Sequence, residues 1–169
     1  MDELRTERLL LRRWRPDDEP VIALINRHPD VGRHLNRPPD DTFFGLMVDH
    51  WETHGFGAWA VEYEGRFVGF AGLAYLPPFL AAAGPAPELG WRLDPEVWGL
   101  GLATEAAVAA RDDAFRRGHA EIVSVIHPEN TRSQRVAVKL GFRLSRQIVN
   151  PRLDIPVDVW VLEQPLLSS

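Results

Sequence analysis

The chain has 169 residues, 45% of them apolar and 25% charged, which suits one folded domain with a sizeable core rather than a disordered segment. It contains no cysteine, so disulfides, thiolate metal sites and cysteine nucleophiles are excluded, and its net charge of −5 argues against non-specific nucleic-acid binding. No apolar run approaches the roughly 18 residues of a membrane span, and the acidic start "MDELRTERLL" lacks the apolar stretch of a secretory signal, so cytoplasmic residence is the default expectation.

In chain order, "ERLLLRRW" (7–14) reads as a first strand. In "RPDDEPVIALINRHP" acids crowd the first turn of a helix, Val21, Leu24, Ile25 and His28 share a stripe, and Pro29 ends it. "DVGRHLNRPPDD" reads as a loop. Thr42 is placed as the N-cap of a second helix that carries Phe43, Leu46, Met47, His50 and Trp51 and stops near Gly55. In "GAWAVEYEGRFVGFAGLAYL", Trp59, Val61 and Tyr63 alternate up to a Glu64-Gly65 turn, the clearest hairpin signal in the chain. A proline-rich loop follows. "PELGWRLD" (87–94) alternates again, with Leu89, Trp91 and Leu93 on one face and Glu88, Gly90 and Arg92 on the other.

A helix from Leu102 to Arg117, with Gly118 as its stop, precedes a buried strand at "EIVSVIHP" (121–128). "ENTRSQRVAVKLGF" reads as a helix with Asn130 near its N-cap and Gly141 past its end, and "FRLSRQIV" and "IPVDVWVLE" supply two closing strands. The order β-α-α-β-β-β-α-β-α-β-β implies an α+β domain over residues 1–169, with about seven strands and about four helices.

The stretch "WGLGLATEAA" (98–107) sets glycines two apart at a helix start, where free N–H groups and the helix dipole favour an anion. A dinucleotide fingerprint would need a third glycine where Thr104 stands, and a phosphate loop would need a Gly-Lys-Ser/Thr that is missing. Another diphosphate, or glycines that merely permit tight packing, stay open.

Four segments together resemble the GNAT superfamily of N-acetyltransferases, in the branch that includes ribosomal-protein N-terminal acetyltransferases. They are "TERLLLRRWRPDD", "GFGAWAVEYEGRFVGFAGL", "ELGWRLDPEVWGLGLATEA" and "HPENTRSQRVAVKLGF", in family order across residues 5–163. The resemblance implies a mixed, mostly antiparallel sheet splayed in the middle and acetyl-CoA as cosubstrate, bound along Leu93, Trp98, Gly99, Leu100, Gly101, Leu102, Ala103 and Thr104. It also implies that Asn130 and Ser133 lie near the pantetheine and sulfur, although both are ordinary residues for a helix start. The tyrosine that protonates the thiolate in many relatives is replaced by Ala137, and the basic or polar residue common at position 100 is Leu100.

Transfer to an amine needs a neutral nucleophile. An α-amine with a pKa near ~8 is about a tenth neutral at pH 7, whereas a lysine near ~10.4 is neutral far more rarely. Glu88, just before the glycine loop, is the first candidate for the base, with Glu105 as runner-up and the helix dipole as its simpler explanation. Asn130 and Ser133 complete the catalytic candidates. Arg33, Asn36 and Arg37, with "NPRLDIP" (150–156), are expected by resemblance to line the acceptor groove. His50 and His54 are one helical turn apart but lack a third ligand, so no metal is expected. The acceptor is expected to be a small-molecule amine or a protein N-terminus, with no nucleic acid or membrane involved, and the protein to be a monomer or homodimer. A catalytically weak acyl-CoA-binding regulatory module is the alternative.

Overall fold

The computed structural model describes residues 1–37 and 39–165. Eight strands form one sheet in the order β1-β2-β3-β4-β5-β6-β8-β7. They are β1 Glu3–Arg5, β2 Leu9–Arg12, β3 Ala58–Tyr63, β4 Arg66–Ala74, β5 Glu88–Leu93, β6 Glu121–Ile126, β7 Arg143–Asn150 and β8 Ile155–Glu163. All neighbours are antiparallel except β5 and β6. The helices are α1 Asp18–Arg27, α2 Pro29–Gly32, α3 Phe43–His54, α4 Leu102–Arg116 and α5 Thr131–Leu140. This is the α+β architecture that the element order implies, with one strand more than expected.

The additional strand is β1. Three residues carry no readable period, and β1 is defined by its partner: Leu4 sits opposite Leu11, and a Thr6–Leu9 turn joins the two strands. The first strand correspondingly shrinks from 7–14 to 9–12. Three further readings need correction. The buried positions of α1 are Asp18, Ile22, Ile25 and Asn26, while Leu24 is exposed, because two polar side chains are drawn inward by buried partners. The segment after His28 is not all loop: Pro29 opens the short helix α2, and Pro78–Ala83 form a 3-10 turn within the proline-rich connection. Thr42 makes no side-chain cap to α3; its hydroxyl donates to Asp40 instead.

The core lies on both faces of the sheet. Beneath α4, Leu11, Trp59, Val61, Leu89 and Ile122 pack against Leu102, Ala106 and Ala110. Four buried alanines on α4 (Ala106, Ala107, Ala110 and Ala114) bring the helix close to the strands. On the opposite face Ile22, Ile25, Val31, Phe67 and Phe70 form a second cluster. Trp51, Phe56 and Trp59 are core residues.

An ionic group fastens α1 to the sheet. The buried Arg12 guanidinium donates to both carboxylate oxygens of Asp18, at 2.8 and 2.9 Å, and its Nε to Glu62. Asp18 also accepts from the Arg15 backbone N–H, and Glu62 keeps a second partner in Arg15. Asp18 is therefore a buried member of this network rather than a residue that merely suits the helix dipole.

Candidate active site

The two strands at the centre part company. β5 and β6 register only at Glu88 opposite Val123, where the Val123 N–H donates to the Pro87 carbonyl at 3.0 Å. Continuing that parallel ladder would give the Val125 N–H to the Leu89 carbonyl. Instead it goes to Oε2 of Glu88, at 3.0 Å. The Glu88 carboxylate thus replaces a ladder carbonyl and wedges the strands apart. Asn36 plugs the same place from above, donating through Nδ2 to the Val125 carbonyl at 3.2 Å. Fully buried Asn150 holds that loop down by donating to the Asn36 carbonyl at 2.7 Å.

Beyond the wedge, β5 has no strand on one side. Backbone groups alternate along a strand, so Trp91 and Leu93 face this open edge. The Leu93 carbonyl is taken by the Trp98 indole at 2.9 Å, which leaves its N–H. The Trp91 indole nitrogen is buried without an acceptor. Leu93 and Leu102 are core side chains and could meet a ligand only through their backbones.

Next comes the glycine loop. Gly99 and Gly101 have φ of +80° and +78°, a region that favours glycine. A Cβ on Gly99 would meet nothing within 4 Å. The requirement at position 99 is therefore conformational, not a matter of protein-side crowding, and the space beside it is open. The consequence is a row of donors. Among the described residues, the backbone N–H groups of Gly99 and of Gly101 to Thr104 have no acceptor, one more than a helix start alone leaves, while that of Leu100 is turned back across the Trp98–Gly99 turn. Arg8 braces the loop by donating to the Leu100 carbonyl at 2.9 Å, and Arg132 of α5 stacks 4.4 Å over the Trp98 ring, bringing the starts of α4 and α5 together.

Asn130 is the N-cap of α5, its Oδ1 accepting the Ser133 N–H at 3.2 Å. Half-buried Ser133 has no hydroxyl hydrogen bond among the described residues. Ala137 is fully buried. The structure thus assigns Asn130 its capping role, with its side-chain NH2 still unused.

Glu88 and Glu105 separate clearly. Burial pushes the Glu88 carboxyl up to about 7, against the opposing pull of the Val125 N–H and of Arg92. Burial also acts on Glu105, but hydrogen bonds from the Thr6 hydroxyl (2.6 Å) and the Arg8 N–H and Nε (2.8 Å each) prevail and leave it below the ordinary range. Glu105 is a tie between the β1–β2 turn and α4.

The expected acceptor residues divide. Asn36 stands at the wedge. Its Oδ1 is buried and unpartnered. Arg37 is turned to Asp40 and Thr42, while Arg33 stays at the exposed surface on Asp30 and the Pro29 carbonyl. Sequence reading missed Arg92, four residues beyond Glu88 on the same face of β5. Its guanidinium donates through Nη1 to Asn26 Oδ1 at 2.7 Å and lies 5.0 Å from the ring centres of both Phe43 and Phe70. Burial pushes it down to about 10, with Glu88 acting the other way. Its strand alternation was legible, but an arginine on a polar face carries no sign that helices will cover it.

Both ring nitrogens of His50 are engaged. Nδ1 meets the Phe56 carbonyl at 2.8 Å and Nε2 accepts the Tyr75 N–H at 3.0 Å, so no lone pair is left for a metal. Among the described residues no group of three His, Asp or Glu side chains could hold one, and no helix is long and apolar enough to cross a membrane.

The model of the family described as "Acetyltransferase (GNAT) domain" matches residues 8–143. A solved acetyltransferase from Agrobacterium tumefaciens is 30% identical, with 97% of this chain and 95% of that one covered and a TM-score of 0.83. Two structures from Salmonella typhimurium share the fold at lower identity. A putative acetyltransferase with its cofactor acetyl-CoA is 20% identical, over 95% of this chain and 96% of that one, with a TM-score of 0.75. An acetyltransferase that modifies the N-terminal serine of a 50S ribosomal subunit protein is 15% identical, over 95% and 97%, also with a TM-score of 0.75. By the match of its sequence to the family model, the chain belongs to the acetyltransferase (GNAT) family.

Proposed function

We propose that this protein, acting as one domain over residues 1–169, transfers the acetyl group of acetyl-CoA to a primary amine by direct attack in a ternary complex. The acceptor is a small-molecule amine or a protein N-terminal α-amine, the latter in keeping with the ribosomal-protein branch. The observation that carries the reading is the set of five unpartnered N–H groups, those of Gly99 and of Gly101 to Thr104, beside the splayed edge of β5. A diphosphate needs several convergent donors, and an extended amide chain can pair with a free strand edge. The orphaned Trp91 indole N–H offers one more donor on the face beneath α4.

Acetyl-CoA supplies the activated acetyl group. Glu88, with its pKa near 7, takes the proton from the amine, and the buried Asn36 Oδ1 offers that amine a second acceptor. In this reading the Ser133 hydroxyl, in the first turn of α5 with Asn130 beside it, donates to the departing sulfur, a task that Ala137 cannot perform.

Calorimetric titration with acetyl-CoA, using NAD and ATP as controls, tests the cofactor assignment. Acetyl-CoA alone is expected to bind. Gly99→Val is expected to bind it about 5- to 150-fold more weakly, because about 1–3 kcal/mol of left-handed strain drives the loop out of its donor geometry. A folded protein that binds neither acetyl-CoA nor CoA overturns the proposal.

A further inference from the structure

Two arginines are drawn into this protein, and they are treated differently. Arg12 is met by two carboxylates, those of Asp18 and Glu62. Arg92 forms no ion pair with any described residue, although α1, α3 and β4 all pack around it. Arg12 is buried and met by carboxylates, as a purely structural arginine is, whereas Arg92 is only half-buried, so that part of its guanidinium stays open to an incoming group. Glu88 is close enough to influence Arg92 through its charge but makes no contact with it.

The arrangement of the guanidinium says what is missing. Phe43 and Phe70, their ring centres 5.2 Å apart, lie together on one side of it, and Asn26 takes Nη1. That leaves Nε and Nη2, the two donors that together form the side-on fork of an arginine, without a partner among the described residues. Such a fork matches the two oxygens of a planar carboxylate. Arg92 also shares the Glu88 face of β5, the face on which the amine must arrive.

Resting on the acetyltransferase reading above, we infer that the acceptor is an amine that also carries a carboxylate, which Arg92 holds through its Nε–Nη2 fork while the amine stands at Glu88. The two residues are four positions apart along the strand, so their Cα atoms are separated by about 13 Å and the side chains reach inward from both ends. The length of acceptor that fits is therefore read by experiment. The same chemistry is found in a free amino acid and in an acidic residue close to a peptide N-terminus.

The test compares kcat/KM for matched pairs in the wild-type enzyme. One arm sets the series glycine, β-alanine, γ-aminobutyrate and ε-aminocaproate against alkylamines of equal chain length. A second sets leucine and phenylalanine against their amides and decarboxylated amines. A third sets the peptide Ala-Asp-Ala-amide against Ala-Asn-Ala-amide. At least one carboxylate-bearing member is expected to exceed its neutral match by tenfold or more, and the arm in which it appears names the source.

Arg92→Met is expected to abolish that preference while leaving acetyl-CoA affinity unchanged, and Arg92→Lys to restore part of it. Calorimetric titration of the CoA complex with the same compounds reads the preference even without turnover. Equal or better use of the neutral amines throughout, or a preference that survives in a folded Arg92→Met protein, overturns the inference. Acetyl-CoA binding and CoA release with plain alkylamines judge the acetyltransferase reading separately.

Discussion

Glu88→Gln is expected to lower kcat at pH 7 by about 10²–10⁴-fold, the usual contribution of a positioned general base, with acetyl-CoA affinity preserved. Glutamine is the informative replacement because of the wedge. Its amide carbonyl can still accept the Val125 N–H that Glu88 accepts at 3.0 Å, so the parting of β5 from β6 survives while the proton acceptor is lost. Alanine would leave a buried N–H unsatisfied and confound the two effects. The wild-type pH profile carries a second signature. Only the ionised carboxylate can take a proton, so activity should fall as pH drops through about 7, where burial has placed the Glu88 carboxyl. In Glu88→Gln that step should vanish, leaving only the fall set by protonation of the amine itself, whose pKa is about 8 for an α-amine. Steady-state rates with a competent amine, beside calorimetry with acetyl-CoA, check both points. An unchanged kcat would remove Glu88 from the chemistry.

The largest stability effect is expected at Asp18. Asp18→Ala strands the buried Arg12 guanidinium with Glu62 alone and frees the Arg15 N–H, so a loss of about 3–5 kcal/mol is expected, the range seen when one partner of a buried ion pair is removed. For a chain of this size that lowers Tm by roughly 6–20 °C. The double replacement Arg12→Met with Asp18→Leu should recover most of the loss, since Glu62 retains Arg15 and no buried charge is left alone. Urea denaturation of the three proteins decides the matter. A double variant no more stable than Asp18→Ala would mean that Asp18 acts through α1 itself and not through the ion pair.

Elements with their own periodicity were legible in the sequence. The hairpin of β3 and β4, the alternation of β5, and the caps of α4 and α5 at Gly101 and Asn130 all rest on local chemistry. What sequence alone missed depends on partners far away in the chain. β1 exists because Leu4 finds Leu11, and α1 turns Asp18 and Asn26 inward because Arg12 and Arg92 wait beneath it. The candidate site shows the same division. The glycine loop and the position of Glu88 could be read along the chain, but the wedge requires Val125, which is 37 residues away from Glu88. Arg92 could be placed on the right face, yet only the tertiary packing shows that it lacks a carboxylate.

The donor row at Gly99–Thr104 bears on ionic strength. Its attraction for a diphosphate comes from peptide dipoles locked in place by two left-handed glycines, not from mobile lysines or arginines that hold their own counterions. Dissolved salt weakens interactions between separated exposed charges far more than contacts made at hydrogen-bond range. Of the two arginines that touch the loop, Arg8 is already neutralised by Glu105 and Arg132 is stacked over the Trp98 ring. Acetyl-CoA affinity should therefore decline only gently as salt is added, as expected of a receptor whose ordering was completed during folding.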